Sequence, residues 1–124
     1  MFKGVNIVRG QNKGYSKYGN KKVIVDGHTF HSKREARRYK ELKLMERAGV
    51  IKDLELQPKF ELIPTIRTET ETLRKTVYKA DFRYFDVKAN HEVVEDVKGF
   101  KTDVYKLKKK ILLHKYKDID FREV

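Results

Sequence analysis

Residues 93–99 constrain the fold of this chain more than any other stretch. Three valines in this stretch favour an extended strand, and Gly99 is suited to end it. Alternate side chains of a strand lie on the same face. Asp96 and Lys98 are therefore expected on one face and Glu95 on the other. The pattern predicts an acid and a base projecting together from a sheet, with Glu95 turned away and paired with a basic residue.

A second strand is predicted over residues 76–86 from its valine, tyrosine and phenylalanine content. A turn near Asn90 would return the chain into residues 92–98, so the two strands should pair antiparallel. Alternation places Asp81 on one face, with Ala80, Phe82 and Tyr84 together on the other, packed face. The pairing therefore predicts that Asp81 and Asp96 lie near one another.

Residues 32–48 read as a helix. Ser32 is a good N-cap, Glu35 three positions later completes a capping box, and Gly49 is a good C-cap. Helical spacing puts Glu35 at the end of the stripe that would face the sheet. The position suits either a helix cap or a third acid of a site, or both.

The rest of the chain completes an α+β fold. Asp26 and Gly27 predict a hairpin turn within residues 21–30, and Pro58 breaks an extended stretch over residues 50–63. Residues 65–76 read as a loop or a hairpin tip. A second helix is predicted over 103–116, followed by a strand parallel to 93–98. The apolar face assigned to that helix consists of Val104, Leu107, Ile111 and Leu112. The predicted order is helix, three strands, helix, strand, with a central mixed sheet flanked by helices.

Charge indicates the class of partner. Lys and Arg number 30 against 18 Asp and Glu, which gives a net charge of +12 and favours a polyanion, most often nucleic acid. Residues 1–20 are rich in glycine and lysine and are predicted to form a flexible basic arm, with residues 21–124 as one domain. The chain has no cysteine, so it has no thiolate zinc site. The sequence shows neither a membrane span nor a signal peptide, which predicts an intracellular location.

Paired acids beside a lysine are typical of phosphodiester hydrolysis. That reaction needs a nucleophilic water, charge neutralisation at phosphorus and a stabilised leaving oxygen. Mg²⁺ supplies all three when carboxylates hold it and leave positions open for water and phosphate. The four histidines are scattered over different elements, and no His-metal cluster or glycine-rich phosphate loop is visible.

The acids in this order resemble the PD-(D/E)XK nuclease superfamily, which has an αβββαβ core like that of restriction endonucleases. Over residues 17–124 the chain resembles a small phage-borne family of proposed endonucleases, likened to Holliday-junction resolvases and to the cutting subunit of some bacterial transposases. Four stretches carry this closer resemblance: Lys17-Tyr18-Gly19-Asn20-Lys21, Phe30-His31-Ser32-Lys33-Arg34-Glu35-Ala36-Arg37-Arg38-Tyr39, Gln57-Pro58-Lys59-Phe60 and Tyr78-Lys79-Ala80-Asp81-Phe82. The superfamily's proline before the first acid is absent, since Ala80 stands there.

The resemblance assigns roles to the matching positions. Asp81 and Asp96 would bind Mg²⁺, for which Mn²⁺ would substitute, and the carbonyl of Val97 would add a ligand. Lys98 would orient water or stabilise charge at the phosphate. Glu35 would reach the metal directly or through water. Gln57 would touch the site or merely end a strand.

Contacts to DNA are expected from the basic helix faces and the arm. The candidates are Lys17, His31, Arg37, Arg38, Lys101 and Lys108. The resemblance implies a cytoplasmic, phage or prophage endonuclease that acts as a homodimer on branched DNA such as a Holliday junction. One alternative is a non-catalytic DNA-binding module with a degenerate nuclease fold. Another is a structural or interaction protein, such as a phage assembly factor or a ribosome-associated factor, in which the acids would not converge.

Overall fold

A computed structural model describes residues 22–97 and 99–124 of the chain. In these residues the chain forms two helices and ten strands, and it has the predicted α+β class. It divides into two compact units, Met1–Lys40 and Glu41–Val124. Neither helix of the described part is long and apolar enough to cross a membrane. The predicted basic arm lies outside the described residues.

The first unit contains the predicted hairpin. Strands β1 (Val23–Val25) and β2 (His28–Phe30) pair antiparallel. Asp26 and Gly27 between them both have positive φ, 52° and 78°, as a two-residue turn of the mirror-image type requires. The hydroxyl of Tyr39 donates to the Asp26 carboxylate at 2.9 Å, which ties the turn to the following helix.

Helix α1 (Lys33–Arg47) begins as predicted. The Ser32 hydroxyl oxygen accepts from the Glu35 N–H at 3.1 Å, while the Glu35 carboxylate accepts from the His31 N–H at 2.8 Å. Glu35 thus reaches the residue before the cap rather than the cap itself. Gly49, with φ of 79°, follows the end of the helix. The predicted N-cap at Ser32 and the predicted C-cap at Gly49 are both confirmed.

In the second unit the remaining elements follow in chain order. They are β3 (Ile51–Leu56), β4 (Lys59–Ile63), β5 (Ile66–Arg67), β6 (Thr72–Leu73), β7 (Thr76–Lys79), β8 (Phe82–Asp86), β9 (His91–Asp96), α2 (Asp103–Lys115) and β10 (Asp120–Glu123). The central sheet has the order β10-β9-β8-β3, with β9 and β10 parallel and the other neighbours antiparallel. The predicted parallel last pair is confirmed, and so is the predicted mixed sheet.

The strand predicted over residues 76–86 is in fact two strands. Strand β7 pairs with β4 in a separate ribbon, whereas β8 pairs with β3 and β9. The chain leaves one sheet and enters the other at Ala80 and Asp81. Ala80 packs in a core cluster with Val94, whereas Phe82 is the register partner of Glu95 on the opposite face. The prediction that Ala80 and Phe82 share a face is therefore wrong, because the strand's alternation is interrupted between them.

Pro58 breaks the preceding extended stretch where predicted, between β3 and β4. The next predicted loop is the tip of the long β4–β7 ribbon, closed by the short antiparallel pair β5 and β6. These local features are confirmed because proline and polar turn residues act within a few positions of themselves.

Helix α2 packs through only part of the predicted face, since Ile111 and Leu112 contribute to the core as predicted and Val104 and Leu107 do not. Its buried residues are Tyr105 and Leu112, which join Phe60, Leu62, Tyr78, Ala80 and Val94 in one core cluster. Val104 and Leu107 are instead 63% and 59% exposed. Burial of a tyrosine together with half-buried lysine stems covers the core as well as an aliphatic stripe would. The apolar pattern therefore placed Ile111 and Leu112 correctly but missed Tyr105 and wrongly included Val104 and Leu107.

Candidate functional site

Two breaks between strands and the end of a further strand lie side by side in the second unit. We call them the strand junction, which consists of Gln57–Pro58, Ala80–Asp81 and Asp96–Val97. Backbone hydrogen bonds join its parts. The Gln57 N–H donates to the Asp81 carbonyl at 2.9 Å, and the Ala80 N–H donates to the Pro58 carbonyl at 3.0 Å. The junction is where β3, β4, β7, β8 and β9 meet.

Asp81 is bonded to the backbone on both sides of Asp96. Its N–H donates to the Glu95 carbonyl at 3.1 Å, and its carboxylate accepts from the Val97 N–H at 2.7 Å. The two acids predicted to converge therefore lie on adjacent chain segments, with the Asp81 carboxylate directed at the segment that follows Asp96.

Asp96 is 1% exposed and is held at both its side chain and its backbone. The hydroxyl of buried Tyr78 donates to one carboxylate oxygen. The Asp96 carbonyl accepts from the Val124 N–H at 2.9 Å. Burial, and then the hydrogen bond to Asp96, raise the pKa of the Tyr78 hydroxyl above its usual value, so Tyr78 remains a donor. Tyr78 thereby sets the orientation of the Asp96 carboxylate.

A second tyrosine continues this polar cluster toward α2. The Tyr105 hydroxyl donates to the Glu123 carboxylate at 2.5 Å, and the Tyr105 and Tyr78 rings are 6.1 Å apart. Lys101 and Lys109 form ion pairs with the same carboxylate at 3.0 and 3.2 Å. The Tyr105 hydrogen bond, together with these lysines, lowers the pKa of the Glu123 carboxyl to about 2. In register, Glu123 lies beside Asp96.

Glu95 is buried on the other face of β9, as alternation predicts. The Tyr84 hydroxyl donates to its carboxylate at 2.5 Å. Arg122 is its register partner on β10. The pKa of Arg122 is raised chiefly by its hydrogen bond to Asp120 and to a smaller extent by the charge of Glu95. Glu95 therefore has a tyrosine donor and lies near a basic residue, and it does not share a face with Asp96.

Gln57 has an unusual backbone conformation. Its φ is 53°, in the left-handed region, although it is not glycine and precedes Pro58, a position that favours extended backbone. Such conformations cost about 1–3 kcal/mol and cluster at functional sites. Since the Gln57 N–H bonds the Asp81 carbonyl, the strained residue directly supports one acid of the candidate site.

Glu35 lies in the first unit and Asp81 and Asp96 in the second. Its observed contacts are those of a helix cap, and a role at the metal stays a prediction. Within residues 22–97 and 99–124, no three or more His, Cys, Asp or Glu side chains are grouped so that they could hold a metal ion. The donors that the junction offers are two carboxylates and the Val97 carbonyl. Oxygen donors of this kind suit Mg²⁺, which usually takes one or two protein carboxylates and keeps several waters.

The predicted basic residues have different surroundings. Lys17 and Lys98 lie outside the described residues. Lys101 is paired with Glu123, and the Lys108 ammonium donates to the Val77 carbonyl at 3.2 Å, so both have structural partners. In the first unit, His31 and Arg37 are exposed and Arg38 is half-buried.

Sequence reasoning missed Tyr78, Tyr105 and Glu123. One signal was available for Tyr78, which lies three residues before Asp81 within a stretch already singled out. Glu123 could be placed beside Asp96 only with the register of the parallel pair, which the residue pattern does not specify.

Comparison with known proteins gives one match. A family described as "Protein of unknown function (DUF1064)" matches residues 15–124, which is most of the chain. No curated protein matches the chain. No solved structure matches it either.

Proposed function

This chain belongs to the DUF1064 family, and we propose that it is a metal-dependent DNA endonuclease that hydrolyses phosphodiester bonds. The observation that carries the proposal is the backbone bonding of Asp81 on both sides of Asp96. Two carboxylates on neighbouring segments of the β8–β9 hairpin, beside a strained glutamine, could together hold a divalent metal ion. The PD-(D/E)XK resemblance supports the same reading.

The roles of the residues follow from their chemistry. Asp81, Asp96 and the Val97 carbonyl would hold Mg²⁺. Bound there, the ion would lower the pKa of a water and neutralise charge on the phosphate. The Val97 N–H fixes the Asp81 carboxylate, and Tyr78 fixes that of Asp96, so both acids are held in place before substrate arrives. Lys98, which precedes Gly99, would stabilise the negative charge of the phosphate.

Hydrolysis then needs only water as a second reactant. The water oxygen bonds to phosphorus, one P–O ester bond breaks, and the leaving oxygen takes up a proton. Glu35, if it reaches the metal, would add a third carboxylate. That role belongs to the proposal, since Glu35 is seen capping α1.

The substrate proposed is branched DNA, of which a Holliday junction is the favoured form. The net charge of +12 supports attraction to a phosphate backbone. No helix-turn-helix or zinc-finger pattern points to base reading, so recognition would rest on charge and DNA shape. A homodimer would bring two such sites to the two strands of a junction. Phage recombination, replication or packaging is the process that the resemblance suggests.

The test compares the wild-type chain with Asp81→Asn and Asp96→Asn on four-way, flapped, nicked and linear DNA with Mg²⁺ or Mn²⁺. Each substitution keeps size and removes one anionic ligand. The expected loss of cleavage is more than about 100-fold, since even the hydrogen-bond partners of metal ligands contribute about 10–100-fold. Asp118→Asn, in an exposed turn, is the matched control and should cut normally. Cleavage at the wild-type rate by both site variants would refute the assigned site.

One observation favours a second function, a non-catalytic DNA-binding module. Asp96 is 1% exposed and accepts a tyrosine hydrogen bond, as a purely structural carboxylate would. This alternative expects salt-sensitive DNA binding and no cut product with either metal. The same assay separates the two functions.

A further inference from the structure

Two exposed lysines lie directly opposite one another beside the strand junction. In the β4–β7 ribbon, Lys59 is the register partner of Lys79, and the next pair is Phe60 with Tyr78. The aromatic pair is buried in the core, so alternation turns both lysines to the outer face of the ribbon. Opposed residues of an antiparallel pair have Cβ atoms about 4.5–5.5 Å apart, close enough for their side chains to interact.

This pair is electrostatically unfavourable. Like charges directly opposite one another destabilise an antiparallel pair. Neither lysine forms an ion pair within the described part of the chain. Glu61 lies two residues along the same face, yet it forms no ion pair with either lysine in that part. Other cations of the unit have acidic partners, as Arg83 has in Glu92 at 2.7 Å. The ribbon therefore carries two positive charges for which the fold supplies no partner.

The position of the pair links it to the candidate site. Lys59 is two residues after Gln57, and Lys79 is two residues before Asp81. The Gln57 N–H bond to the Asp81 carbonyl closes the ribbon at this end. At about 3.3 Å per residue, Lys59 lies roughly 7 Å along the chain from Gln57, and Lys79 lies roughly 7 Å from Asp81. The pair therefore lies on the outer face of the ribbon, next to the end at which the Gln57 and Asp81 backbones meet.

We propose that Lys59 and Lys79 form a binding site for the phosphate backbone of DNA next to the point of cleavage. The inference rests on the proposed function, because it takes the junction as the place where DNA is cut. A phosphate between the two lysines would relieve their mutual repulsion and would hold the DNA backbone along the outer face of the ribbon, beside the strand junction. The two residues touch the backbone and read no base.

The experiment measures DNA binding by fluorescence anisotropy between about 50 and 200 mM salt, without divalent metal. It compares Lys59→Gln, Lys79→Gln and the double variant with the wild type. The slope of log affinity against log salt is expected to fall by about 0.9 for each phosphate that is no longer neutralised, so by about 0.9 to 1.8 in the double variant. Lys88→Gln, in the exposed turn at the other end of β8 and β9, is the matched control, and its slope should change by less than about half of that single-phosphate value.

Thermal unfolding supplies a second readout. Each single lysine variant should have a Tm equal to or above that of the wild type, because the repulsion is removed. Lys59→Glu should be the most stable variant and the weakest DNA binder, since it creates an opposite-charge pair with Lys79. Lys59→Arg should restore wild-type binding.

Failure of the lysine site and failure of the proposed endonuclease give different experimental results. Wild-type salt slopes in the double variant, with cleavage intact in the wild type, would overturn this inference and leave the proposed function standing. Reduced slopes in a chain that never cuts DNA would support the lysine site and overturn the endonuclease. A chain that does not bind DNA at any salt concentration overturns both.

Discussion

At the scale of single residues, the candidate site depends on few atoms with fixed surroundings. Asp81 is bonded to the backbone on both sides of Asp96, and Tyr78 fixes the Asp96 carboxylate. Gln57 supports Asp81 from a left-handed conformation. In the proposed endonuclease, carboxylates held in this way would not have to be ordered during the reaction, and such pre-ordering can supply much of an enzyme's rate.

Gln57→Gly tests whether the strain at the junction serves function. Glycine adopts positive φ without cost, so the free energy of unfolding should rise by about 1 kcal/mol. DNA cleavage should fall at least several-fold, since the segment that carries the Asp81 contact becomes freer and loses the amide side chain. Urea unfolding and initial cleavage rates measure the two effects.

Asp53→Gly is the control for that substitution. Asp53 also has positive φ, 58°, but lies at the bulge within β3. Asp53→Gly should raise the free energy of unfolding by the same amount as Gln57→Gly or by less, and the rate of DNA cleavage should not change. Equal loss of activity in both variants would show that the effect is not specific to the junction.

The Glu123 carboxylate makes stability dependent on pH. Its pKa is lowered from 4.5 to about 2, first by Tyr105 and then by Lys101 and Lys109. A carboxyl with a lowered folded-state pKa stabilises the protein above its unfolded pKa, and that stability is lost as pH falls. The stability difference between the wild type and Glu123→Gln should therefore shrink between about pH 4.5 and pH 2.

Unfolding curves at pH 7, 4.5, 3 and 2 measure this effect. Glu69→Gln, in the exposed ribbon tip, changes the charge equally without removing these contacts and is the control. A difference between the wild type and Glu123→Gln that stays constant over this range would contradict the assignment.

At the scale of elements, α2 shows how packing selects one of two apolar faces. Its aliphatic stripe, with Val104 and Leu107, remains exposed, while Tyr105 and Leu112 enter the core. The Lys108 and Tyr116 side chains hold this rotation through the carbonyls of Val77 and Glu61. These hydrogen bonds from long side chains to strand carbonyls help to fix the rotation of α2, which its apolar pattern alone does not specify.

Substitutions on the two faces of α2 should differ sharply. Leu112→Ala should lower the free energy of unfolding by about 2–5 kcal/mol, because it leaves a cavity in the core cluster. Leu107→Ala should change it by less than about 0.5 kcal/mol, as surface substitutions generally do. Urea unfolding of both variants gives the comparison. A large loss for Leu107→Ala would mean that its face is covered in solution.

At the scale of the whole molecule, the proposed association with DNA would depend on charge. A chain of net charge +12 that neutralises about 6–10 phosphates should lose about 10³–10⁵ in affinity between 50 and 200 mM salt. Because no base-reading motif is present, duplexes of scrambled sequence should bind equally. Anisotropy titrations over this range check both expectations, and a shallow slope or strong preference for one sequence would contradict them.

The amino-acid sequence by itself determined the features that depend on neighbouring residues. These are the Asp26–Gly27 turn, the Ser32 cap of α1, the break at Pro58, and the α+β class with a parallel last pair. Turn and cap chemistry acts over three or four residues, and the order of periodic segments leaves few topologies. The opposite faces of Glu95 and Asp96 also followed from alternation alone.

Only the tertiary structure decided how distant segments meet. It divided the predicted strand at Ala80 and Asp81, rotated α2, and brought Tyr78 to Asp96. It also set Lys59 opposite Lys79. These outcomes depend on register and on competition for the core between segments many residues apart, and a shift of one residue would turn each side chain to the other face. No local pattern carries that information.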